Sequence, residues 1–317
     1  MSHPDQDPPP FDLVRPLGPG HESSRALALL QRRRLPVALG DQAQAAAHYR
    51  PSTDLLTAIN MAIHVGAPLL LTGEPGTGKT VAAAFIARFF GIPLFPFQVK
   101  STSTADDIKY DFDAVGYLHW AQSDKDKDKN APPRTRRDFL QKRALWEAYD
   151  CPTEAVVLID EIDKAPRDFP NDLLHELDQH RFQHPFDDTE IVSPKTGHPP
   201  IVVVTSNDER RLPDAFLRRC IFHRIDLDKD LVKAAVEAHV RDFPHLDPDA
   251  RAAAQRRFWD LRESPLDKRP STAELLVWLC ILSAQGVTAE TLNTKPLAEL
   301  PGIGALVKDP EDLKVLK

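Results

Sequence analysis

Eight consecutive residues, Gly73-Glu74-Pro75-Gly76-Thr77-Gly78-Lys79-Thr80, fit the spacing G-x-x-x-x-G-K-[ST] in full. Glycines let a backbone curl until several N–H groups converge on one anion, and a helix opening at the end of such a turn adds its positive end. A lysine and a hydroxyl residue directly after the turn supply a cation for a phosphate chain and an oxygen ligand for Mg2+. The spacing therefore predicts a cradle for the phosphates of ATP. In it, Gly73, Glu74, Pro75, Gly76, Thr77, Gly78, Lys79, Thr80 and Val81 line the nucleotide, Lys79 reaches the outer phosphates and Thr80 ligates the metal.

Mg2+ held beside phosphates wants a carboxylate nearby. Val156-Val157-Leu158-Ile159-Asp160-Glu161 supplies two acids directly after an apolar run. Asp160 is expected to bind the metal directly or through water, and Glu161 to polarise an attacking water. Asn207 closes the next apolar run, residues 201–204 followed by Thr205-Ser206-Asn207. A carboxamide there can hold the lytic water or sense the γ-phosphate.

The elements that must position these groups follow from hydrophobic patterning. Residues 68–71, 94–99, 155–159 and 201–204 read as buried strands. Residues 81–90 and 137–149 read as helices, as does a segment starting at Ser52 or Thr53 that runs through Leu55, Leu56, Ile59 and Ile63. Buried strands alternating with helices predict an α/β fold, a parallel sheet covered on both faces. The acids and the amide then fall at the carboxyl ends of the strands, where open α/β sheets bind ligands. Residues 101–133 read as irregular, with the alternating run from Asp124 to Lys129 as a solvated loop tip. Beyond Asp228 only helices are expected, over residues 231–240, 249–261 and 272–283, and residues 291–317 give no clear pattern. At the other end, residues 1–20 read as disordered and 23–34 as helical.

Composition narrows the classes. The 317 residues carry a net charge of -7, which argues against non-specific nucleic-acid binding. Three widely spaced cysteines make neither a disulfide framework nor a zinc site and fit a reducing cytosol, so a cytoplasmic location is expected. The opening residues lack the pattern of a signal peptide, and no stretch is long and apolar enough to span a bilayer. His175 and His180 stand five apart, so on a helix they diverge instead of sharing a metal.

Taken in order, the phosphate loop, Asp160-Glu161, Thr205-Ser206-Asn207, the stretch Leu212-Pro213-Asp214-Ala215-Phe216-Leu217-Arg218-Arg219 and Arg269-Pro270-Ser271-Thr272 resemble the AAA+ ATPases, and within them the MoxR-like (dynein-related) branch. The likeness spans residues 51–283. It implies a P-loop NTPase three-layer αβα core over residues 48–228, a C-terminal α-helical lid domain over 229–290, an N-terminal extension (1–47) and a tail (291–317). It also implies insertions near 101–133 and 184–198, the second a hairpin turning at Asp187-Asp188. Such insertions face a pore or client in related machines; for Tyr117, His119 and Trp120, packing against the core is the competing reading. Arg219, with Arg218 as the alternative, matches an arginine finger that reaches a neighbouring subunit's ATP, and Arg269, with Lys268 as its competitor, matches a lid arginine that touches the γ-phosphate. The resemblance further implies a ring, a hexamer, that hydrolyses ATP to remodel a client protein, such as one with a von Willebrand factor A domain. An ATP-dependent switch with slow turnover and a DNA-acting motor are the alternatives.

Overall fold

A computed structural model of the chain describes residue 27 and residues 45–47, 49–122 and 135–316. The expected disorder over 1–20, most of the expected helix over 23–34 and the charge run from Asp124 to Lys129 lie outside the described residues. The chain divides into two units, Pro51–Asp226, and Met1–Arg50 with Leu227–Lys317.

In the first unit, helix α1 (Thr53–Val65) starts where the Ser52 hydroxyl accepts from the Leu55 N–H at 3.1 Å and stops at Gly66, whose φ of 68° suits a residue without Cβ. Strand β1 (Leu69–Thr72) follows, then α2 (Lys79–Phe90) and β2 (Leu94–Gln98). Helix α2 buries Ala82, Ala83, Ala84 and Ala87, small side chains that let it pack closely, together with Ile86. Next come β3 (Tyr110–Phe112), α3 (Ala114–Gln122), β4 (Leu140–Lys142) and α4 (Ala144–Asp150). Strand β5 (Val156–Asp160) leads through a 3-10 turn, Ile162–Lys164, to the short helices α5 (Phe169–Asp172) and α6 (Leu174–Gln179). The hairpin β6 (Phe182–His184) and β7 (Asp187–Val192), then β8 (Ile201–Ser206), α7 (Asp214–Leu217) and β9 (Ile221–Arg224) complete the unit.

Five strands form one wholly parallel sheet in the order β2-β5-β8-β1-β9. Every residue of β1 and β5 is buried, as a sheet covered on both faces requires. The core joins Leu70, Val157, Ile159 and Val204 of the sheet to Trp146, Tyr149, Phe169, Phe182 and Phe216. This is the three-layer αβα core of a P-loop NTPase.

Four features depart from the expectations. Strand β9 had no sequence signal, because Ile221–Arg224 is a short edge strand with alternating exposure in place of an apolar run. The helix expected over 137–149 begins only at Ala144. Before it, Arg136–Phe139 makes a 3-10 turn, and β4 pairs antiparallel with β3. Residues 101–133, expected to be irregular, contain β3 and α3. There Tyr117 packs on Phe112, Trp120 and Phe139, and Trp120 on Phe139, beneath the Arg136 guanidinium, a half-buried aromatic cluster within the insertion. The second hairpin turns at Pro185-Phe186; Asp187 already pairs with His184.

The second unit is helical: α8 (Lys229–Ala238), α9 (Pro248–Glu263), α10 (Thr272–Gln285), α11 (Ala289–Thr294) and α12 (Pro310–Val315). Helix α10 opens with a reciprocal cap between Ser271 and Glu274 and closes at Gly286. Its Leu275, Trp278, Leu279 and Leu282 are fully buried. The stretch from 291 onward packs on this helix: Trp278 Nε1 donates to the Pro301 carbonyl at 2.7 Å, and Leu300, Leu306 and Val307 enter the same core. Among the described residues, no helix is long and apolar enough to cross a membrane.

Candidate active site

The phosphate loop is shaped by conformations that favour glycine. Gly73, Gly76 and Gly78 have φ of 140°, 78° and 90°. A Cβ on Gly73 would stand 2.3 Å from the Ile225 carbonyl oxygen, so the close approach of β1 to the chain after β9 demands a glycine there. Thr77 is buried and its hydroxyl donates to the Glu74 carbonyl at 2.9 Å, pinning the turn from inside. Pro75 and Gly76 stand exposed at the crest, Glu74 and Gly78 are half-buried, and Val81 is half-buried in the first turn of α2.

Lys79 is 6% exposed. Its Nζ donates to the Gly73 and Glu74 carbonyls, both at 2.8 Å, and forms no ion pair among the described residues. Burial lowers its pKa, an effect opposed by the carboxylates of Asp163, Asp160, Asp208 and Glu161. A buried cation held only by carbonyls, inside a turn of positive-φ glycines at a helix start, fits an anionic phosphate chain.

Asp160 ends β5 and is 8% exposed. Its Oδ1 accepts from Thr80 Oγ1 at 2.9 Å and from Thr205 Oγ1 at 2.6 Å. The hydroxyl of α2 and the carboxylate of β5 thus meet beside the loop, the hard oxygen donors that Mg2+ takes alongside phosphate and water.

Glu161 turns the chain sharply, with φ 60° and ψ 52°, unusual for a residue with a Cβ. Thr205 stabilises that turn by accepting the Glu161 N–H at 2.8 Å. The carboxylate is gripped from three sides. Asn207 Nδ2 donates to Oε1 at 3.3 Å, while Gln98 Nε2 and Lys164 Nζ donate to Oε2 at 2.6 Å each. Parallel register explains the convergence, because Gln98 lies beside Asp160 across β2 and β5, and Asn207 directly follows β8. The Lys164 amine is raised in pKa by its bond to Glu161.

Asp163 lies beneath this group, 3% exposed, and its Oδ2 accepts from the N–H groups of Asn207 and Glu209 at 3.0 Å each. Gln98, Asp163, Lys164 and the Thr205 hydroxyl had no part in the sequence reading. The one available signal was an acid and a base two and three residues past Glu161.

Lys79, Thr80, Asp160, Glu161 and Asn207 therefore come together, and neither Arg218 nor Arg219 of the same unit bonds to them among the described residues. Arg219 Nε donates to both oxygens of Asp178, at 2.7 and 3.0 Å, and its Nη1 donates to the Ala215 carbonyl at 2.9 Å. Arg218 is exposed; its backbone N–H donates to the Asp214 carbonyl at 3.1 Å, and its guanidinium makes no hydrogen bond or ion pair among the described residues. Arg269 belongs to the helical unit, exposed in the loop before α10. As for the histidine pair, His175 sits within α6 while His180 caps its end in a left-handed conformation.

Residues 68–220 match the family described as AAA domain (dynein-related subfamily). The matched stretch takes in the loop, Asp160, Glu161, Asn207, Arg218 and Arg219. No curated protein matches the chain in sequence. Among solved structures, the chain is similar to that of a presumed ATPase from Cytophaga hutchinsonii ATCC 33406. The two share 14% identity over 92% of this chain and 87% of that one, with a TM-score of 0.39, too loose a likeness to carry an argument.

Proposed function

We propose that this chain, whose residues 68–220 match an AAA domain of the dynein-related subfamily, is an ATP hydrolase that works as a ring of like subunits on a client protein. The observation that carries the hydrolytic part is the contact chain Thr80–Asp160 and Glu161–Asn207 beside a buried, unpaired Lys79. Glycine N–H groups and Lys79 bind the phosphates. Thr80 and Asp160 would hold Mg2+, whose chemistry is to neutralise phosphate charge as it develops. Glu161 takes the proton of the attacking water, and Asn207 orients that water by bonding to the same carboxylate region. Replacing Glu161 by Gln removes the base while keeping shape, so turnover should fall about a hundredfold or more with nucleotide binding retained. Loss of binding along with turnover would instead mean a structural role for Glu161.

A ring is supported by an arginine pair on the same unit that neither Asp160 nor Glu161 engages. A guanidinium has five donors, and Arg219 commits only its Nε and Nη1, while Arg218 commits none. Either can complete a site in trans. Arg218→Ala and Arg219→Ala subunits, each mixed with Glu161→Gln subunits, test this: activity regained on mixing identifies the trans-acting arginine. Arg269 as a lid arginine, a hexameric state, a cytosolic setting with free Cys151, Cys220 and Cys280, and a client bearing a von Willebrand factor A domain belong to this reading through the family resemblance. Recovery of a client on ATP-loaded Glu161→Gln rings would support the last of these.

One observation favours a slower, switch-like protein. Lys164 and Gln98 both donate to Oε2 of Glu161, the carboxylate read as the base. If that grip restrains the base, Lys164→Ala should raise turnover several-fold; unchanged or lower turnover speaks for the motor.

A further inference from the structure

We propose that Arg224 is a positioning residue for Asn207, acting through Asp208 by a strap that crosses the carboxyl end of β1. The proposal rests on the reading that Asn207 works with Glu161. Arg224 is the last residue of β9 and pairs in register with Thr72, the last residue of β1. On the other side of β1, Thr72 pairs with Ser206, the last residue of β8. Strands β8 and β9 thus flank β1 and lie about 10 Å apart, two strand spacings. Arg224 closes that gap: its Nη1 donates to Asp208 Oδ2 at 2.8 Å, and its Nε donates to Asp226 Oδ1 at 2.8 Å. The bridge therefore passes over the point where β1 becomes the phosphate loop.

Asp208 needs such a hold. It has φ of 60°, one of three left-handed residues other than glycine among those described. Aspartate visits this region more readily than most side chains, yet the conformation persists only where surroundings impose it. The turn has a purpose. It lets the N–H groups of Asn207 and Glu209 reach one oxygen, Asp163 Oδ2, while the Asp208 N–H reaches Ser206 Oγ at 3.1 Å. Asp163 fixes this segment from below and Arg224 from the side. The carboxamide aimed at Glu161 inherits its direction from both. Arg224 is half exposed, so replacing it leaves the core intact, whereas the buried Asp163 offers no such clean test.

Two readouts on the full chain test the proposal. By hydrogen exchange, Arg224→Gln should speed the amides of residues 207–209 about tenfold, with helix α1 unchanged, because the segment loses one of its anchors. In ATPase assays the same variant should lose about ten- to a hundredfold in kcat with KM for ATP within about twofold, the signature of a misplaced group and not of lost nucleotide binding. Arg224→Lys should recover part of the loss. Adding Asp208→Gly to Arg224→Gln should cost nothing more, since the strap is already gone. Unchanged exchange at 207–209 would overturn the proposal whatever the activity, and so would a raised KM at constant kcat, which would put Arg224 on the nucleotide. If the wild-type chain hydrolyses no ATP yet exchange responds as stated, the hydrolytic reading fails and the strap stands.

Discussion

At the scale of single residues, the site sets function against stability, and Lys79 shows it best. Its ammonium is buried without a carboxylate partner, and burial depresses its pKa below the ordinary lysine value of 10.5. A group whose charged form is disfavoured on folding destabilises the folded state while protonated. That burden is full at neutral pH and lifts as pH rises through the depressed folded pKa toward 10.5. Replacing Lys79 by Met should therefore raise the denaturation midpoint of the nucleotide-free chain near pH 7, shrink the gain between neutral and alkaline pH, and abolish nucleotide binding. Urea melts at both pH values check it; a Lys79→Met protein less stable than the parent at pH 7 would count against the account. The five residues that meet around the loop were legible in the sequence because each stands at a strand end or helix start that local pattern marks. Their partners were not. Lys164 and Asp163 stand close to Glu161 in sequence, but Gln98 meets Glu161, and Asp163 meets Asn207, only when parallel strands align, and no local pattern links residues 98, 161 and 207.

At the scale of elements, what could be read was whatever buried a continuous apolar run. Strands β1, β5 and β8 announce themselves that way, and α1 and α10 carry their stop signals at Gly66 and Gly286. Strand β9 escaped because an edge strand shows water half of its side chains. The stretch around 137–149 misled because Leu140, Ala144, Leu145 and Ala148 are spaced as on a helix, although Leu140 belongs to a strand pinned to β3. The chain after residue 291 was illegible for a tertiary reason: its fold depends on Trp278 reaching the Pro301 carbonyl and on Gly302, whose φ is 67°. Trp278→Phe keeps an aromatic ring but leaves that carbonyl without its donor, and should cost about 1–3 kcal/mol of stability. Thermal melts would show it, with nucleotide binding unchanged; a loss of nucleotide affinity would instead tie this helix to the site.

At the scale of the whole molecule, the chain joins an αβα core that holds the glycine loop, Asp160, Glu161, Asn207 and the arginine pair to a helical unit that holds Arg269. The core brings together the glycine loop, the Thr80–Asp160 oxygen pair and the Glu161 carboxylate, and neither Arg218 nor Arg219 bonds to any of them among the described residues. An arginine that helps only a neighbour's nucleotide makes activity a property of the assembly. The most direct measurement is ATPase activity per subunit across a wide range of protein concentration, with Arg218→Ala and Arg219→Ala alongside. The account predicts specific activity that rises as subunits assemble and then levels, and that one of the two variants loses at every concentration. Specific activity constant from the most dilute sample upward, and indifferent to both arginines, would contradict it.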